Sequence, residues 1–300
     1  MGDIIVSTAY LFPGQGSQSV GMGKDHYENN SKFAEYVDQA NEILGYDLKN
    51  IMFEGPQDAL KQTENTQPAI FLHSTALYDT LDANPNMVAG HSLGEFSALV
   101  ACGAVLFEDA LKIVRKRGLL MQNAGEQNPG TMAAIIGMKD DVVEDVCARA
   151  REEVGKDVIA ANYNCPGQLV ISGDVDAVKK ALELAKAEGC RLAKLLPVSG
   201  AFHSSLMQPA YDGLKENLEK LDIQEPDCPI YSNYTAEPTT DPDEIRSNLL
   251  NQLLNPVKWT QTLLKMSDNG ADQFVEVGPG KVLQGLVKRT LKNVEISGHQ

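Results

Sequence analysis

The stretch "MVAGHSLGEFSALVACGA", Met87 to Ala104, passes from a short apolar segment through Gly-His-Ser-Leu-Gly into a run of small residues. Gly90, Ser92 and Gly94 satisfy G-x-S-x-G, in which a serine sits on a sharp strand-to-helix turn with its hydroxyl raised clear of the backbone. The pattern predicts a buried strand over "NMVAG", a turn at Ser92 and a helix over 93–104, which is α/β architecture.

Working outward, "IIVSTAYLF" (Ile4–Phe12) is apolar and partly β-branched and ends at "PGQGSQ", a buried strand feeding a glycine loop. "NNSKFAEYVDQANEILG" has helical spacing and stops at Gly45. "TQPAIFLHSTALYDTLD" predicts a helix with Pro68 in its first turn, and "LFEDALKIVRKRGLLMQNA" another. From about Pro129 the order becomes strand, helix, two strands joined by "CPG", helix, strand, which is the ferredoxin-like β-α-β-β-α-β pattern. The expectation is a large α/β-hydrolase-like domain over 1–128 and 199–300, with a small ferredoxin-like domain inserted over 129–198. Beyond it come a helix, the strand "PIYSN", the helix "EIRSNLLNQLLN", the strand "DQFVEVGPG" and the helix "KVLQGLVKRTLKN".

Composition narrows the classes of function. A hydrophobic fraction of 43% is ordinary for a globular chain, and no apolar run is long enough to span a bilayer. A net charge of −15 argues against nucleic acid, which needs a basic face. Five scattered cysteines without a C-x-x-C or a histidine pair argue against a zinc site or disulfide framework and fit a reducing compartment. The expectations are a cytoplasmic location, no membrane, no metal and no cofactor.

A serine hydroxyl needs a base to take its proton. Of five histidines, His26 and His299 lie in polar terminal stretches and read as surface residues, and His73 as a packed core residue. His91, beside Ser92 on a tight turn, is read as shaping the turn. His203, in the small-residue loop "VSGAFHSSLM" between strand and helix, is the leading candidate for the base. The hydrolase order Ser…Asp/Glu…His does not fit well, and no HGGG-type oxyanion loop is present. On these residues alone, covalent acyl transfer is indicated and the acceptor is left open. "PGQGSQ" alone reads as a turn or phosphate loop, without the lysine of a P-loop or the spacing of a dinucleotide fingerprint.

The motifs "FPGQGSQSVGMG", "ENTQPAIF", "AGHSLGEFSALVACGA", "RGLLMQ", "ANYNCPGQLVISG", "VSGAFHSSLMQPA", "NPVKWTQTL" and "EVGPGKVLQGL" follow one another from about Tyr10 to Leu291. In this order they resemble the malonyl-CoA:acyl carrier protein transacylases and the related stand-alone acyltransferases of polyketide synthases. The resemblance implies that Ser92 forms an acyl ester, that His203 is its base, and that the side-chain amide oxygen of Gln252 orients the histidine ring. It implies an oxyanion hole from the N–H groups of Gln15 and Leu93. Arg117 would pair with the free carboxylate of a malonyl group, as a guanidinium fork binds carboxylate bidentately. The neighbouring Lys112, Arg115 and Lys116 are read as a solvated basic face. Phe202 would crowd a methylmalonyl branch; Gln67 and Asn162 would line the cleft, and His91 is grouped with the substrate-binding residues. "VGPG" (277–280) would be a turn opening a helix, with Cys165 near the cleft but no second nucleophile.

The implied activity is ping-pong transfer of malonyl from malonyl-CoA to the phosphopantetheine thiol of acyl carrier protein, for fatty-acid synthesis, by a monomer. The alternatives are polyketide supply or an acyl-thioester hydrolase. The carrier would dock on a basic patch, either Lys281, Lys288 and Arg289 or Arg191 and Lys194.

Overall fold

Two sheets organise the chain, one mostly parallel around the serine turn and one antiparallel from the middle of the sequence. The computed structural model describes residues 7–198 and 200–300. Ile4–Val6 of the expected first strand and the expected boundary residue Ser199 lie outside the described residues. The strands are β1 (Thr8–Phe12), β2 (Met87–Gly90), β3 (Gly130–Ile136), β4 (Val158–Cys165), β5 (Gln168–Asp174), β6 (Leu192–Leu195), β7 (Ile230–Tyr231), β8 (Pro238–Thr239), β9 (Gln273–Val277) and β10 (Glu295–His299).

The first sheet has the order β10-β9-β1-β2-β7-β8 and is parallel from β10 to β7, with only β8 antiparallel. β1 and β2 lie side by side in register from Ala9↔Met87 to Phe12↔Gly90, so the loops at Gln15 and Ser92 leave neighbouring strands at the same sheet edge. That carboxyl edge is where open α/β sheets place their ligands. His299, read as a surface residue, ends β10 and pairs with Val277.

The second sheet has the order β4-β5-β3-β6 and is antiparallel throughout, the arrangement that the β-α-β-β-α-β order predicts. Its two faces follow the period of two. Ala133, Ile135, Ala160, Leu169 and Ile171 pack with the helices Asp140–Val154 and Val175–Ala187 in a core of their own. Met132, Ala161 and Val170 belong to the main core on the other face. A register shift between Ala160 and Asn162 bends β4, and Asn162 bridges to Val257, with Tyr163 N–H donating to the Val257 carbonyl at 2.9 Å and Val257 N–H to Ala161 at 2.8 Å.

Two expectations need correction. The helix predicted over "TQPAIFLHSTALYDTLD" begins earlier, at Thr63–Asp79, so Pro68 stands inside it and not in its first turn. Proline has no N–H for the carbonyl four residues back. That carbonyl, Glu64 O, accepts instead from Arg115 Nη1 at 2.6 Å. Arg115 is therefore no solvated face residue: it is half-buried, pairs with the Glu64 carboxylate at 3.3 Å and lies over the Tyr46 ring at 4.7 Å. The helix itself is buried on nearly every side, which is why it shows no amphipathic stripe. The helix Trp259–Asp268 and the strands β8 and β10 were not anticipated.

Candidate active site

The glycines of G-x-S-x-G are there because backbone presses on backbone. A Cβ at Gly90 would overlap the Gly94 carbonyl group, and one at Gly94 would overlap the Phe12 carbonyl oxygen. With β1, β2 and the helix Gly94–Ala101 this close, Ser92 is driven into left-handed backbone, φ 51°. This is the strained turn that lifts a side chain off the sheet. Gly14 packs on the His91 carbonyl in the same way, which seats the Gln15 loop against the turn.

Ser92 Oγ lies 2.8 Å from His203 Nε2, and His203 Nδ1 lies 2.8 Å from the main-chain carbonyl oxygen of Gln252. A carbonyl only accepts, so Nδ1 carries the proton and Nε2 is the free base facing Ser92. Here the expectation for Gln252 is corrected: its backbone, not its side-chain amide, holds the imidazole. The amide oxygen instead accepts from Arg117 Nη2 at 2.8 Å, because the residue sits at the end of the helix Pro242–Asn251 with its carbonyl free to turn toward the histidine. His203 also has positive φ, 58°. Burial, reinforced by the Arg117 charge, pushes its pKa down to about 3, so it is neutral at physiological pH.

Arg117 is 1% exposed and reaches the serine. Nη2 donates to Ser92 Oγ at 3.1 Å, Nη1 donates to Gln67 Oε1 at 2.7 Å, and Nε has no partner among the described residues. Burial lowers its pKa to about 10, against the opposing pull of Glu95. Every atom it hydrogen-bonds among the described residues is neutral, so within them a buried cation has no direct counter-ion, a costly arrangement in an apolar surround.

A cleft of about 290 Å³ opens over these groups. Gln15, Gln67, His91, Ser92, Leu93, Arg117, Asn162, Phe202 and His203 all line it, so the structure gathers every candidate except Gln252, which lies beneath. Met132, Ala134 and Val170 of the second sheet form one wall, and Val282 and Leu286 of the helix Val282–Thr290 form another. The N–H groups of Gln15 and Leu93 have no protein acceptor among the described residues. His91 packs on the Trp259 ring at 5.3 Å and donates Nε2–H to Asn164 Oδ1 at 2.9 Å. Asn162 Oδ1 is buried without a partner among the described residues. "VGPG" does lead into the helix Val282–Thr290, whose first N–H groups are capped by the buried Glu276 carboxylate at 3.0 Å.

Residue patterns missed two groups beneath the cleft. Asn233 accepts Ser92 N–H on Oδ1 at 2.6 Å and donates Nδ2–H to Gly90 O at 2.7 Å, pinning the turn from both sides. Its signal was its place just past β7, the strand beside β2. Glu95 is 2% exposed and accepts from Asn233 N–H and from Gln252 Nε2. Its signal was a carboxylate in an otherwise apolar helix.

A serine hydroxyl on an imidazole of fixed tautomer, with two N–H groups on facing loops that meet no acceptor among the described residues, is an arrangement capable of acyl transfer. Residues 9–299 match the family model described as an acyl transferase domain. The chain belongs to the acyl transferase family. Among acyl transferases, it is 45% identical over 295 residues to the malonyl CoA-acyl carrier protein transacylase of Bacillus subtilis, covering 96% of this chain and 93% of the relative. It superposes on the acyl carrier protein S-malonyltransferase of Vibrio cholerae with a TM-score of 0.94 at 42% identity, covering 98% and 97% of the two chains. It superposes at 0.92 and 38% identity, covering 97% and 94%, on a malonyl-transacylase solved with a type II PKS acyl-carrier protein.

Proposed function

We propose that this acyltransferase moves a malonyl group from malonyl-CoA to the phosphopantetheine thiol of an acyl carrier protein, in supply of fatty-acid synthesis. The observation that carries the substrate class is Arg117, a buried guanidinium on the nucleophile whose protein partners are all neutral. An acyl group ending in carboxylate supplies the missing anion.

Ser92 Oγ–H gives its proton to His203 Nε2 as Oγ attacks the thioester carbonyl. The N–H groups of Gln15 and Leu93 meet the developing oxyanion. Collapse breaks the C–S bond, and the CoA sulfur leaves with the proton from His203. The carrier thiol then gives its proton to His203 as its sulfur attacks the acyl-serine carbonyl, and the C–Oγ bond breaks as Ser92 Oγ takes that proton back from His203. The malonyl carboxylate offsets the Arg117 charge that depresses His203, so the substrate strengthens the base that attacks it. Phe202, on the cleft wall beside the base, opposes a branched acyl group.

The separate core under the second sheet supports reading residues 129–198 as an inserted domain that walls the cleft. Lys281, Lys288 and Arg289, like Arg191 and Lys194, enter no ion pair among the described residues, and Val282, next to Lys281, is at the cleft edge. They are the docking candidates for an acidic carrier. Five free thiols fit a cytoplasmic setting, and no helix among the described residues is long and apolar enough to cross a membrane.

The test is intact-mass measurement after mixing with malonyl-CoA alone, beside Ser92→Ala. One malonyl adduct, absent in the variant and discharged by added carrier, is expected. Free malonate forming at the same rate without carrier would make the chain a hydrolase. Discharge onto carriers from fatty-acid and polyketide systems, compared side by side, separates the two pathways.

A further inference from the structure

Glu95 lines no part of the cleft, yet it accepts from two residues, Asn233 and Gln252, that brace the groups lining it. Oε1 accepts from Asn233 N–H at 2.7 Å, and Asn233 holds the Ser92 turn through Oδ1 and Nδ2. Oε2 accepts from Gln252 Nε2, and Gln252 holds His203 by its main chain and Arg117 by its amide oxygen. The amide of Gln252 has chemically different ends, and its surroundings offer an acceptor on one side and a donor on the other. An ionised Glu95 can only accept, and so can the Ser92 main-chain carbonyl, which takes Gln252 Nε2 at 3.0 Å, so the two together hold the NH₂ end down and leave the oxygen facing Arg117. A neutral isostere at 95 removes the charged acceptor and leaves only the Ser92 carbonyl to hold the NH₂ end. The amide can then turn its NH₂ toward the guanidinium, donor against donor, and Arg117 loses the acceptor that aims Nη2.

We propose that Glu95 is a positioning residue that sets the selectivity for acyl groups bearing a carboxylate, by fixing which end of the Gln252 amide faces Arg117. The inference rests on the proposed malonyl transfer. Glu95 also braces the Ser92 turn through Asn233, an effect common to every acyl group, so the selectivity is carried by the malonyl-to-acetyl ratio and not by either rate alone.

The experiment measures acylation of the full chain by malonyl-CoA and by acetyl-CoA, with intact mass as the readout, in wild type, Glu95→Gln and Gln252→Met. Circular dichroism and melting identify the folded variants. Loss of a hydrogen bond to a charged group predicts that Glu95→Gln lowers malonyl kcat/KM by about 10- to 100-fold, with acetyl acylation changed far less. Gln252→Met removes the amide and keeps the main-chain carbonyl, so it must lower the same malonyl-to-acetyl ratio, and it carries the test if Glu95→Gln does not fold. A parallel fall with both thioesters would make Glu95 a structural residue and overturn the assignment. An unchanged ratio in a folded variant would do the same while leaving malonyl transfer intact. A wild-type chain that takes no malonyl would remove the transfer reading and the Glu95 assignment with it.

Discussion

His203 donates Nδ1–H to the main-chain carbonyl of Gln252 at 2.8 Å, while the side chain of Gln252 turns the other way onto Arg117. The main chain at 252 thus holds the imidazole, and the side chain at 252 holds the guanidinium. Gln252→Glu would set a carboxylate on Arg117 in competition with the substrate. Its expected effect is a KM for malonyl-CoA raised about 10-fold or more, since a charge-assisted pair is being displaced. Acylation rates against malonyl-CoA concentration measure it, and a faster reaction at unchanged KM would restore the side chain as the partner of the histidine.

The Arg117 charge is the second cause, after burial, of the low His203 pKa. Arg117→Leu should therefore raise that pKa. The base must be neutral to act, so a higher pKa means it is protonated, and rate is lost, at a higher pH. Acetyl-CoA, which has no carboxylate to compensate, is the clean probe. Wild-type acetylation should persist down through pH 5, and the acid limb of the variant should lie above that of wild type in kcat/KM measured from pH 4 to 8.

His73 gives a stability prediction. Burial, with the nearby His26 ring 6.0 Å away, pushes its pKa to about 3, and Nδ1 has no partner among the described residues. Between pH 3 and 6.5 the unfolded chain binds a proton there that the folded chain does not, so stability falls as pH drops below 6.5. From pH 7.5 to 5.5 this residue costs about 1.4 kcal/mol, one pK unit's worth. His73→Phe should abolish that share of the loss in urea titrations at the two pH values, leaving the slopes of the buried His203 and His91, whose pKa values burial also lowers. An identical loss in both proteins would mean that His73 is solvated.

Arg115 and Pro68 are linked through one carbonyl, Glu64 O. Arg115→Met leaves that oxygen without its donor, at a cost of about 1–3 kcal/mol. Pro68→Ala supplies a backbone N–H at the right spacing, so the same arginine substitution should cost less in that background. A double-mutant cycle by chemical denaturation should show coupling of at least about 0.5 kcal/mol. Additive effects would assign the role of Arg115 to its pairing with the Glu64 carboxylate.

Local chemistry made part of this molecule legible in advance. The turn at Ser92 is legible because only glycine tolerates the approach of β1, β2 and the following helix at Gly90 and Gly94. The second sheet is legible because strand and helix periods alternate cleanly over 130–195. The partners beneath the cleft are not. Asn233 meets Glu95 across 138 residues, and no local pattern reports a contact that only the folded sheet creates. The direction of the Gln252 amide is equally hidden, since it depends on a carboxylate from another helix. Pro68 misled because a proline usually opens a helix, and here a distant arginine removes the penalty for placing it deeper.

Ser92 and His203, whose Oγ and Nε2 lie 2.8 Å apart, both occupy left-handed backbone, at φ 51° and 58°. Each such conformation costs about 1–2 kcal/mol for a side chain with a Cβ. Selection for turnover and selection for persistence therefore pull in opposite directions at these two positions. Glycine or asparagine at either position would relieve the backbone, so stability can be gained at these two positions only by giving up the hydroxyl or the imidazole.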